Sequence, residues 1–102
     1  MSEHAVIVNF QYDSTDLSAL FDLEEKLETI IEKAGVGELD GNEVAIKGSD
    51  SRLYMYGPDA DALYDAIKET LSQTSFMNDA NILKRYGPPE EGIREVTISI
   101  HA

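Results

Sequence analysis

The hydrophobic period of this chain switches repeatedly between two residues and about 3.6, and the order of those switches narrows the fold more than any single motif. Val6, Val8 and Phe10 alternate with Ile7, Asn9 and Gln11, so residues 5–12 read as a strand. From Leu17 onward Leu20, Phe21, Leu27, Ile30, Ile31 and Ala34 follow helical spacing. Asp13, Ser14, Thr15 and Asp16 offer N-caps before that helix, and Gly35 stands where it would end in a left-handed turn. Residues 36–57 read as two or three short strands, with turns at Asp40-Gly41 and at Gly48-Ser49-Asp50-Ser51. Val44 and Ile46 alternate with Ala45 and Lys47; then Leu53 and Met55 take one face and Arg52, Tyr54 and Tyr56 the other.

A second helix is expected to open at Gly57-Pro58, with Pro58 at its first position and Asp59 and Asp61 in its first turn. Ala60, Leu63, Tyr64, Ile67 and Leu71 would form its buried stripe. Residues 73–79 read as a polar loop, 81–86 as a strand and 87–92 as a second loop. Residues 94–100 close the chain as a strand with Val96, Ile98 and Ile100 inward. At 102 residues there is room for one domain and one modest core. Strand, helix, strand pair, helix and two strands, joined by right-handed crossovers, predict an α+β fold. The expected form is a ferredoxin-like two-layer sandwich: an antiparallel sheet, two helices on one face and an extra C-terminal strand. That architecture carries many unrelated functions, so function has to be sought in particular residues.

Charge narrows the partners. Twenty Asp and Glu against eight Lys and Arg give a formal net charge of −12. Such a chain repels phosphate backbones and anionic lipid, so neither nucleic acid nor a membrane is expected to bind. It would attract a basic protein, although acidity also serves solubility alone. With no cysteine there are no disulfides, thiolate nucleophiles or cysteine-ligated metals. The longest apolar run, Ala5 to Val8, falls far short of the ~20 residues that span a bilayer. The first residues lack the pattern of a signal peptide, so a cytoplasmic location is the expectation.

The chain lacks the parts of the common site chemistries. Gly35-Val36-Gly37 and Gly41 follow a helix instead of opening one, and the third glycine is one residue too far for a dinucleotide fingerprint. His4 and His101 fall on opposite faces by parity, which makes each a terminal, solvated side chain. Asp40, Asn42, Glu43 and Asp50 lack the spacing of a calcium loop and read as turn residues. No Gly-x-Ser-x-Gly elbow or interior histidine supports a nucleophile. No catalytic residue, metal ligand or cofactor is assigned; an enzyme built on carboxylates is the outlying alternative.

What stands out is the strand Arg52-Leu53-Tyr54-Met55-Tyr56. Alternating aromatics after a basic residue suggest base stacking, but the glycines of the RNA-recognition motif are missing and the charge is wrong. On an open sheet face Tyr54 and Tyr56 would instead supply apolar area with a polar tip, suited to a protein interface. The expectation is therefore a noncatalytic acidic protein-binding domain, such as an inhibitor or immunity-type partner of a basic protein. Glu25, Glu28 and Glu32 would steer and Tyr54 and Tyr56 would anchor, with Arg52 beside them as a further candidate partner-binding residue. The alternative is self-association, two open faces packing as a homodimer, with or without a small ligand between them.

Gly37-Glu38-Leu39-Asp40-Gly41-Asn42-Glu43, the run from Leu53 to Leu63 that contains Tyr56-Gly57-Pro58-Asp59-Ala60-Asp61, and Lys84-Arg85-Tyr86-Gly87-Pro88-Pro89 together resemble a pattern in a family of small bacterial proteins. Over the C-terminal two thirds of the chain, the resemblance implies a compact bacterial domain. That family has no assigned activity, so it implies no site.

Overall fold

The computed structural model describes residues 3–11, 16–43, 50–77, 79–88 and 90–100, leaving aside the side chains of Asp50 and Ser75. Its elements are β1 (His4–Gln11), α1 (Ser18–Ala34), β2 (Glu38–Glu43), β3 (Asp50–Gly57), α2 (Ala60–Ser72), a 3-10 turn (Ser75–Met77), β4 (Asn81–Arg85) and β5 (Glu95–Ser99). The strands form one sheet in the order β2-β3-β1-β4-β5, every neighbour antiparallel. The first four in that order are the ferredoxin-like arrangement, and β5 is the extra strand, added beyond β4.

Both helices cover one face. Val6, Val8, Phe10, Leu53, Met55 and Ile82 point from the sheet into the core. They meet Leu20, Leu23, Leu27 and Ile31 of α1 and Ala60, Leu63, Ile67 and Leu71 of α2. The α1 stripe corrects the expected one. Leu23 is buried, while Phe21 is 53% exposed and Ala34 lies outside. Positions 20, 23, 27 and 31 repeat at three and four residues, and Phe21 is about 100° off that line.

Local chemistry sets the helix ends. Gly35 takes the left-handed conformation and donates back to the carbonyls of Ile31 and Glu32, as its position predicts. Asp13, Ser14 and Thr15 lie outside the described residues. Asp16 accepts from the backbone and hydroxyl of Ser18, and these donors hold its carboxyl below the usual range. In α2 the cap is Asp59, whose carboxylate accepts from the backbones of Asp61 and Ala62. Pro58 therefore stands before the helix, not at its first position.

One turn assignment needs correction, and a second falls partly outside the described residues. Asp40-Gly41 is not a turn: Leu39 faces Met55 and Gly41 faces Tyr54, so Asp40 bulges out of β2. Asp50 and Ser51 belong to β3, and Gly48, Ser49 and the Val44–Lys47 alternation lie outside the described residues. The polar segment 73–79 holds the 3-10 turn, which sends Met77 into the core and sets Phe76 against Phe10. At the other end of the sheet two backbones nearly touch. A Cβ on Gly37 would lie 2.1 Å from the carbonyl oxygen of Tyr56, and one on Gly57 2.1 Å from that of Val36. Only glycine fits either position.

Candidate functional site

Strand register assembles the open face of the sheet into three rows. The middle row runs Gly41, Tyr54, Ile7, Leu83, Thr97. One outer row is Glu38, Tyr56, Ala5, Arg85, Glu95, and the other Glu43, Arg52, Asn9, Asn81, Ser99. Among the described residues no helix lies over this face. Tyr54, Tyr56, Ile7 and Leu83 are partly buried among their neighbours, and Arg52 is exposed. The Arg52 guanidinium donates to the side-chain oxygen of Asn9 at 2.7 Å and lies 3.7 Å from Glu43. Arg85 donates to the carbonyl of Gly87. The centre of the face is thus apolar and aromatic, with mixed charge around it.

Glu25, Glu28 and Glu32 are exposed on the outer side of α1. They stand on the opposite side of the domain from Tyr54 and Tyr56, because α1 is packed on the other face of the sheet. The structure therefore does not bring the six expected partner-binding residues together; it divides them three and three. The shortest dimension of the molecule is 23 Å. That exceeds the Debye length of about 8 Å at physiological salt, so carboxylates on one side are largely screened from a partner on the other. Beside the α1 carboxylates an open groove of about 520 Å³ runs between α1 and α2, lined by Asp22, Glu25, Lys26, Thr29, Ile30 and Thr70.

A third constellation was not anticipated. At the start of α2, Asp61 accepts from Lys84 Nζ at 2.8 Å and from the Tyr86 hydroxyl at 2.6 Å. The Lys84 ammonium lies 5.2 Å from the centre of the Tyr64 ring, and the Arg94 guanidinium 5.1 Å from that of Tyr86. His4 meets the Tyr86 ring edge-on, and its Nδ1 accepts the backbone N–H of Ala60 at 3.0 Å. His4 is therefore no freely solvated terminal residue; it satisfies an N–H of the first turn of α2 that the helix itself leaves unpaired. His101, its expected counterpart, lies outside the described residues.

Donation from Lys84, then from Tyr86, holds the Asp61 carboxyl below the usual carboxylate range. The bond to Asp61 raises Lys84 above the usual lysine value, against the opposing effect of burial. The Lys84 side chain is 12% exposed, since Lys84 shares a strand face with Ile82 and reaches along the core to the edge of α2. This is the reverse of what a general-base or Schiff-base lysine requires, which is a lowered titration. The cluster ties α2 to β1 and β4 and is structural. One sequence signal pointed to it: parity places Lys84 between Ile82 and Tyr86 on a face that must be covered.

Asn42 and Glu43, two of the residues set aside as calcium ligands, diverge. The Asn42 side chain donates to Glu24 on the helix side, whereas Glu43 turns to Arg52 on the open side. Among the described residues no three His, Cys, Asp or Glu gather as metal ligands, and no buried side-chain polar atom lacks a partner. No helix of the described residues is long and apolar enough to cross a membrane. Comparison with known proteins returns no match to a family model, a curated protein or a solved structure.

Proposed function

We propose that this is a noncatalytic protein-binding domain whose docking surface is the open face of the sheet. The observation that carries this reading is the row Tyr54, Ile7 and Leu83, contributed by three adjacent strands and left without a covering layer among the described residues. Phenol rings and aliphatic side chains at the centre of a polar, charged rim match the anatomy of a protein interface. Arg52, already braced by Asn9 and Glu43, would present a preorganised guanidinium at that rim.

A photo-crosslinking residue placed at Thr97, on the open face, tests the reading in the cell of origin. Protein adducts from Thr97, and none from the same residue placed at Lys68 on α2, are expected. A lack of protein adducts at Thr97 would remove the open face as a docking surface.

The exposed α1 carboxylates beside the groove support a second reading, in which this chain is an inhibitor or immunity-type partner that holds a basic protein on its helix layer. Glu25, Glu28 and Glu32 would then contact the partner and also speed encounter. Changing all three to Gln should slow association with a basic partner and flatten its salt dependence. The Tyr54→Ala change on the opposite side should leave both untouched.

A further inference from the structure

We propose that the occupant of the open sheet face is a second copy of this chain, packed face to face about a twofold axis. The inference rests on the docking reading above and names its partner. Charge balance carries it first. Every chain has a formal net charge of −12, so two copies repel wherever acidic surface meets acidic surface. The outer side of α1 is such a surface: Asp22, Glu24, Glu25, Glu28 and Glu32 are opposed on that helix by Lys26 and Lys33 alone. The open face is different. There Arg52 and Arg85 stand among Glu38, Glu43 and Glu95, so each copy brings little net charge to the apolar centre and self-repulsion is weakest on this face.

The register supplies the second support. A twofold axis along the middle row lays each strand across its own counterpart, which is the self-complementary arrangement of an isologous dimer. Tyr54, Ile7 and Leu83 then meet the same residues of the other copy. The two outer rows exchange, so Tyr56 of each copy faces Arg52 of the other, a guanidinium over a phenol ring, twice by symmetry. Sheets packed face to face keep their strand directions within about 30°, which preserves these neighbours. Glu38 and Glu43 also come opposite each other, at the β2 rim. That contact is repulsive, and with the net charge it makes the pairing stronger as salt rises. A basic partner would show the reverse dependence.

Size sets the strength. Five strands about 4.8 Å apart and some 20 Å long give a plan area on the order of 500 Å² per copy. Specific, stable interfaces bury about 800 Å² per partner, so the pair falls below that class, among weak and transient interfaces. Association should accordingly be reversible and concentration-dependent.

Sedimentation equilibrium on the full chain, from low micromolar to near-millimolar protein and at low and high salt, tests the proposal. A monomer–dimer equilibrium that tightens with salt is expected. Tyr54→Glu and Leu83→Lys should each weaken it at least tenfold, and Tyr54→Phe should leave it unchanged. Melting curves would show that each variant is folded. Isotope-filtered spectra of a mixed-label sample should connect the Tyr56 ring to the Arg52 side chain between copies. Within one chain the two lie about 13 Å apart, too far for such a signal. A single monomeric species throughout, or a dimer indifferent to Tyr54→Glu and Leu83→Lys, would overturn the proposal. A monomeric chain whose Thr97 crosslinks reach only other proteins would overturn it too, yet leave the docking reading intact.

Discussion

Tyr56-Gly57-Pro58 and Tyr86-Gly87-Pro88 are the same tripeptide, and β3 and β4 leave the sheet with it at the same end. Ala5 of β1 lies opposite Tyr56 on one side and opposite Arg85, not Tyr86, on the other. That offset of a single residue sends the two phenols to different faces. Tyr56 lies on the open face among mixed charges; Tyr86 turns beneath it, donates to Asp61 and packs against His4. The glycines differ as well. Gly57 is pressed against the Val36 carbonyl, a rigid neighbour, whereas a Cβ on Gly87 would lie 3.0 Å from the tip of the Ile93 side chain, which can move. Equal local sequence therefore gives a candidate binding residue at one strand end and an internal fastening at the other.

The glycines offer the largest test. Gly57→Ala should destabilise the domain by about 3 kcal/mol and Gly87→Ala by about 1 kcal/mol or less, because backbone cannot yield where a side chain can. Urea unfolding of both variants measures this, and equal losses would erase the distinction.

His4 lies between the two motifs, opposite Gly57 in register and edge-on to Tyr86. His4→Ala strips the first turn of α2 of an acceptor and should cost about 1 kcal/mol, comparable to losing a helix cap. The same unfolding measurement serves, with Glu3→Ala as the silent control.

The pH dependence follows from the pair behind Tyr86. The carboxyl of Asp61 titrates lower in the folded chain than in the unfolded one, so its contribution is present above the ordinary carboxylate value of about 4 and fades as pH falls through the folded value. Lys84 titrates higher when folded. Its contribution is complete below the ordinary lysine value of about 10.4 and is lost as pH rises through the raised one. Lys84→Met should abolish the alkaline loss and flatten part of the acid one, as melting temperatures across pH will show. A wild-type alkaline limb in that variant would mean that Asp61 and Lys84 are not coupled.

The smallest effect separates the two tyrosines most directly. Tyr86→Phe removes one donor from Asp61 and should raise the titration of that carboxyl, followed by carbon NMR. Tyr56→Phe, on the far face, should leave it where it was.

Much of the fold was legible because periodicity records burial. Leu53 and Met55 against Tyr54 and Tyr56, and Leu63, Ile67 and Leu71 along α2, each report the side of an element that meets the core. Misreadings occurred where a local signal has two structural uses. Asp40-Gly41 carries the composition of a tight turn, but glycine serves a bulge equally well. Phe21 satisfies a loose helical count and still lies outside, since α1 has only one stripe in contact with the sheet. The grouping of the expected partner-binding residues was legible only in part: Tyr54 and Tyr56 share a face with Arg52, but Glu25, Glu28 and Glu32 are on the other side of the molecule.

By itself the sequence determined the order of the helices and strands, the inward faces of most of them and the overall negative charge, since each depends on residue type and spacing along the chain. Only the tertiary structure decided which residues became neighbours. Register set Tyr54 beside Ile7 and Leu83, placed Lys84 and Tyr86 on Asp61, and put a sheet between the α1 carboxylates and the tyrosines. Those are contacts between segments far apart in the chain, and they follow from how strands pair and which face the helices cover, which no local pattern specifies.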